Sequence, residues 1–207
     1  MQSRPESYRL PSFSEVKLYV LGLWLLVKGD RAGLALVDFT DRGMMRSFWA
    51  IVWCIPAIGF SWIWWRLAFL ETMPPGFRLG GIFFFRMALL EASNWLVPLV
   101  LAGLMALTMG LARQFPAIVF TANWLSVPFS YLYGLLSILL VLMPGLTGLI
   151  ALIWLGAIVA LVVCLSRIFR MIIGPQTLTV ATLTMVLIVP SLLLSDVLER
   201  FLGVYPG

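Results

Sequence analysis

Five stretches of this chain are long and apolar enough to cross a lipid bilayer, and no other feature restricts its fold so strongly. They cover residues 47–65, 87–111, 117–143, 145–165 and 178–194. A hydrocarbon core of about 30 Å takes a helix of about 17 to 25 apolar residues. Such a helix satisfies its own backbone hydrogen bonds, whereas a barrel would show alternating segments of about 10 residues, which this sequence lacks. The expected fold is therefore all-α: a polytopic membrane protein, a bundle of five transmembrane helices preceded by an interfacial N-terminal helical segment. Composition agrees, because the chain is 62% hydrophobic and 11% charged, against about 45 to 50% and about 25% in soluble domains.

Residues 1–46 differ in kind from the transmembrane part, 47–207. They hold seven of the 14 Lys and Arg and five of the nine Asp and Glu. Residues 18–27 are apolar for only ten positions, too few for a span. Phe13, Val16, Val20, Trp24 and Val27 recur at roughly helical spacing, and Glu15, Lys17 and Lys28 interrupt the apolar surface, which predicts an in-plane helix. Residues 29–33 read as a turn, 34–39 as a short apolar piece, and Thr40 or Asp41 as the cap of the first span. No cleavable signal is expected, so the first span would serve as the insertion signal.

With the N-terminus inside, ten basic residues fall on the inner side, and four (Arg66, Arg78, Arg86 and Arg200) on the outer. That bias predicts an N-in, C-out protein of the bacterial inner membrane, with a cytoplasmic N-terminus and a periplasmic C-terminus. Trp62, Trp64 and Trp65 fit an outer aromatic belt, and Trp49 and Trp53 an inner one. The basic residues sit at span edges and form no basic helix, so nucleic acid is not an expected partner. Membrane lipids are, together with other membrane proteins or a second copy of the chain.

Chemistry inside the spans is sparse. The sequence has no histidine and nine carboxylates, and it shows no nucleophile elbow, zinc-protease motif or phosphate-binding loop. No cofactor and no metal is expected. Glu91 is the one acid inside a predicted span, where an ionised carboxylate costs on the order of 3 kcal/mol, and Asn94 shares its helix face. If the second and third spans pack as an antiparallel hairpin, equal depth pairs these two with positions near 138 and 135. Tyr133 and Ser137 occupy that window, so a Glu91, Asn94, Tyr133 and Ser137 cluster is expected. It would act either as packing glue or as a substrate, ion or proton site.

Asn123 lies deeper and has no evident polar partner. Ala102, Ala106 and Gly110, and likewise Gly156 and Ala160, form small-residue rows suited to close helix packing. Pro56, Pro98, Pro128 and Pro190 fall inside spans, and the kinks at Pro98 and Pro128 could meet at one depth. Cys54 and Cys164 lack metal or redox spacing and read as packing residues, Cys164 being a minor candidate for acylation. Arg167 and Arg170 share a face at the inner end of the fourth span, as anchors or head-group contacts.

The run Asp38-Phe39-Thr40-Asp41-Arg42-Gly43-Met44-Met45-Arg46-Ser47-Phe48-Trp49, a polar turn leading into the first of five close spans, resembles bacterial members of the Yip1-like family. The resemblance implies a polytopic bundle with a membrane-organising role and assigns no catalytic or binding residue. The first functional expectation is thus a membrane protein without enzymatic activity that acts as a scaffold. The alternative is a small transporter or transporter subunit using the Glu91 cluster. An enzyme acting on lipid comes third, since no nucleophile lies beside an activating base in the sequence.

Overall fold

The computed structural model describes residues 9–74 and 80–205. Arg4, Glu6 and Arg78, which enter the charge balance, lie outside these residues. Among the described residues the chain forms α-helices and short 3-10 turns and no strand. The helices are α1 Phe13–Lys28, α2 Asp41–Ser47, α3 Ala50–Glu71, α4 Gly81–Thr108, α5 Phe115–Leu142, α6 Thr147–Ile173 and α7 Thr177–Phe201.

Ser12 begins α1 with a reciprocal capping box: its hydroxyl accepts from Glu15 N–H, and the Glu15 carboxylate accepts from the Ser12 backbone, which satisfies two otherwise orphaned donors. A 3-10 turn over Arg31–Leu36 replaces the expected separation of turn and apolar piece. Thr40 caps α2 by accepting from Gly43 N–H at 3.2 Å, and α2 runs into α3 through Phe48 and Trp49, both in helical conformation. Asp41–Glu71 and the four helices that follow are each long and apolar enough to cross a membrane. The protein is an all-α, multi-pass membrane protein.

α3, α6 and α7 outrun the apolar stretches at their C-terminal ends and α4 at its start, because backbone hydrogen bonding continues into the polar flanks. Arg66 and Glu71 belong to α3, Arg86 to α4, Arg167 and Arg170 to α6, and Glu199 and Arg200 to α7. Large apolar side chains also face outward. Leu149, Leu152, Leu155 and Val159 of α6 are exposed, a surface suited to acyl chains rather than water.

Sequence neighbours are not the packing partners. α5 lies along α3 and α4 along α7, with α6 between α5 and α7, while α4 and α5 meet mainly near their link. Gly134 explains the choice made by α5: a Cβ there would sit 2.9 Å from the Ala57 carbonyl oxygen, so glycine alone admits the α3 backbone so closely. The expected α4–α5 hairpin is corrected accordingly. Their short link fixes the ends of the two helices, not their faces.

At the end of the bundle that carries α1 and α2, Leu23, Leu26, Ile118, Phe120, Trp124, Ile168, Phe169 and Leu183 form a fully buried core. α1 docks on α5 and α6 through Val16, Leu23, Leu26 and Val27, with Tyr19 packed edge-on to Phe120 at 5.2 Å. Phe13 and Trp24, expected on the same face, are 59% and 52% exposed. Docking on two helices at once favours Leu23 and Leu26 over them, and Lys17 and Lys28 lie over the Phe13 and Trp24 rings. At the opposite end a second apolar cluster joins Phe69, Phe83, Met87, Leu90 and Val204.

Candidate functional site

Between the α3/α5 pair and the α4/α7 pair the helices leave a cavity of about 320 Å³. α3 contributes Ile51, Cys54, Ile58, Ser61 and Trp65, spaced three and four apart as one helix face requires. α5 contributes Ser126, Ser130 and Tyr133 at the same spacing, α4 contributes Glu91, Asn94 and Trp95 among others, and α7 contributes Ser195 and Glu199.

Long side chains bridge what the backbones leave open. Trp62 donates its indole N–H to Oε1 of Glu91 at 3.4 Å, and Trp65 donates to the Tyr133 hydroxyl at 3.4 Å. Asn94 donates Nδ2–H to Ser195 Oγ at 2.7 Å, tying α4 to α7, and its carbonyl oxygen is buried without a partner. Ser126 and Ser130 donate their hydroxyls to the carbonyls of Asn123 and Val127 at 2.6 and 2.8 Å. Their oxygens keep free lone pairs. Cys54 Sγ lies 3.7 Å from Ser126 Oγ.

The lining is therefore rich in acceptors. Among the described residues it holds two carboxylates, Glu91 and Glu199, and no Lys or Arg. Such a cavity suits a donor-bearing cation and disfavours an anion. At the end bearing the chain's last described residues it abuts the second apolar cluster, with which it shares Met87, Leu90 and Trp65. Val204 seals that cluster: the chain turns back after α7, Val204 N–H donates to the Glu199 carbonyl at 2.9 Å, and the residue is fully buried.

Of the four residues expected to cluster, Glu91, Asn94 and Tyr133 line the cavity and Ser137 does not. Ser137 is buried and donates to the Tyr133 carbonyl at 3.0 Å. Glu91 and Tyr133 face one cavity across the α3 tryptophans, not through a packed hairpin. Trp62 and Trp65, expected only as belt anchors, direct their N–H groups to the site. Cys54, Ser61 and Trp65 on α3 and Ser126, Ser130 and Tyr133 on α5 recur at the spacing of one helix face, a pattern that includes Trp65 but not Trp62.

Asn123 is corrected as well. It is fully buried, accepts from Trp95 Nε1–H at 3.0 Å and donates Nδ2–H to Ser47 Oγ at 2.8 Å. Asn123 thereby joins the start of the first span to the cavity wall. Ala102 and Ala106 are fully buried as expected, but Gly110 lies beyond α4 with φ +71° and serves the turn instead. Gly156 and Ala160 are exposed, and nothing lies within 4 Å of a Cβ built on Gly156, so the row makes no close helix contact at that glycine. Pro98 is buried and Pro128 exposed, so their kinks frame no shared niche. The two cysteines are free thiols. Arg167 and Arg170 are exposed and stay outside the cavity. No group of three His, Cys, Asp or Glu that could hold a metal ion occurs among the described residues.

No family model, curated protein or solved structure matches this chain. Fold and cavity together define its class: a multi-pass helical membrane protein with an acidic intramembrane cavity.

Proposed function

We propose that this chain is a small transporter or transporter subunit whose central cavity takes a small organic cation, with Glu91 as counter-charge. The observation that carries the reading is the lining itself, which among the described residues holds two carboxylates and several free acceptor oxygens and no basic side chain. Its volume of about 320 Å³ stands at the small end of ligand pockets, about 300 to 1,000 Å³. Trp65 and Trp95 in its wall add aromatic faces that attract ammonium groups. Exchange of cation for proton at one carboxyl would couple uptake to a pH gradient. In this reading the protein sits in a bacterial inner membrane with α1 and α2 on the cytoplasmic side, as the distribution of basic residues favours.

Proteoliposomes loaded at low pH and diluted into radiolabelled butylammonium at higher pH test the proposal. The reading expects uptake by the wild-type chain and loss of at least tenfold in Glu91→Gln, since a hydrogen bond to a charged group is worth about 1.5 to 3 kcal/mol. Equal uptake by both proteins would remove it.

A second reading, the non-enzymatic scaffold of Yip1-like type, is favoured by the exposed Phe13, Leu18, Leu21 and Trp24 of α1. This apolar ridge is available to lipid or to a membrane partner. Removing residues 1–40 should then abolish partner or lipid association while the five spans remain folded.

A further inference from the structure

A second polar depression lies at the opposite end from the apolar seal, between the start of α1 and α2. It has a volume of about 380 Å³ and is lined by Arg9, Leu10, Ser12, Glu15, Arg42 and Arg46. Three guanidiniums face one carboxylate, so the charge is opposite to that of the central cavity. The carboxylate is already engaged, since Arg46 donates an Nη2–H to Glu15 Oε1 at 2.9 Å. Arg46 keeps its Nε–H buried without an acceptor, and among the described residues Arg9 and Arg42 form no ion pair. Guanidinium groups present planar donor pairs that match phosphate oxygens, and an unmet buried donor costs about 1 to 3 kcal/mol.

On the neighbouring face of the first turn of α1 runs an apolar groove of about 410 Å³ between Phe13, Val20 and Trp24 of α1 and Val127 and Pro128 of α5. Ser12 and Glu15 border the basic depression, and Phe13 and Val16 border the groove. Polar and apolar sites thus flank one helical turn, as head group and tail do in a phospholipid.

We infer that the chain binds an anionic phospholipid here, with its phosphate among Arg9, Arg42 and Arg46 and an acyl chain along the α1–α5 groove. The bound lipid would brace α1 against α2 and α5. Through Ser47 and Asn123, which follow Arg46 into the bundle, it would steady the wall that holds Trp95. This site is independent of the cation reading, because it shares no lining residue with the central cavity.

The experiment uses the full chain in detergent, titrated with phosphatidylglycerol or phosphatidylcholine, bound lipid being counted by native mass spectrometry. Preferential retention of phosphatidylglycerol is expected. Arg42→Gln should lower it about fivefold and the Arg9→Gln, Arg42→Gln pair about 25-fold, at roughly 1 kcal/mol for each basic residue. Both side chains are exposed, and the Glu15–Arg46 pair survives in these variants. Val20→Trp, which fills the groove, should lower retention while leaving the arginines intact. Equal retention of the two lipids, or retention unchanged in the double variant, overturns the inference. Displacement of phosphatidylglycerol by millimolar inorganic phosphate, with no effect of Val20→Trp, also overturns it, because the site would then recognise free phosphate.

Discussion

Trp62 on α3 donates its indole N–H to the carboxylate of Glu91 on α4 at 3.4 Å, although the two helix backbones scarcely approach one another. The Trp62 side chain packs against the second apolar cluster and reaches from there to Glu91 in the cavity wall. A contact this long has the strength of a weak hydrogen bond, about 0.5 kcal/mol. Trp62→Phe should therefore change butylammonium affinity by no more than about threefold, measured by titration calorimetry. A change above tenfold would show that the indole fixes the carboxylate more firmly than its distance implies.

Asn123 should matter more to stability than to binding. Asn123→Leu leaves the Trp95 indole N–H buried without its acceptor and removes the bond to Ser47. Interhelical hydrogen bonds in membranes average about 0.6 kcal/mol, but an orphaned donor costs about 1 to 3 kcal/mol. A loss of about 2 kcal/mol is expected in reversible denaturation in mixed micelles. The double variant Asn123→Leu, Trp95→Phe should recover part of it, since no indole donor then remains unmet.

Docking of α1 should depend on pH with a definite sign. The Arg46 guanidinium, hydrogen-bonded to Glu15, holds the Glu15 carboxyl below the usual carboxylate range. A lowered folded-state value contributes stability that is present above the unfolded carboxyl's ordinary value of 4.5 and is lost as pH falls through the lowered one. Glu15 is 39% exposed, so the effect is modest, about 0.2 to 1 kcal/mol. Hydrogen exchange in α1 should hold its protection from pH 7 down to about 5 and lose some below 4.5, whereas Glu15→Gln should show a flat, slightly lower protection.

The apolar seal can be tested through the one thiol in the cavity. Cys54 is buried and lines the polar space, and Val204 closes the adjoining cluster. In a Cys164→Ala background, Val204→Asp should speed maleimide labelling of Cys54 several-fold, because a buried carboxylate forces the seal open. An unchanged rate would mean that reagent reaches the cavity by another route.

Hydropathy alone located α3 to α7, because lipid demands uninterrupted apolar helices, although their ends depart from the apolar stretches by several residues. It could not say which faces meet. The pairing of α5 with α3 turns on Gly134 passing the Ala57 carbonyl, a contact between residues far apart in the chain. Glu91 stood out because a carboxylate inside a span is costly wherever it points. Trp62 and Trp65 were hidden, since tryptophan near the end of a span has a generic explanation in the membrane interface. Asn123 was misread for a related reason: its partner Ser47 ends α2, 76 residues away in the chain and beyond any local pattern.

Calorimetric titration of butylammonium into the purified wild-type chain and into Glu91→Gln tests the central claim most directly. Saturable binding at one site, weakened at least tenfold by loss of the carboxylate charge, is the expected result. Equal affinity in the two proteins, or no saturable binding by the wild type, would contradict it.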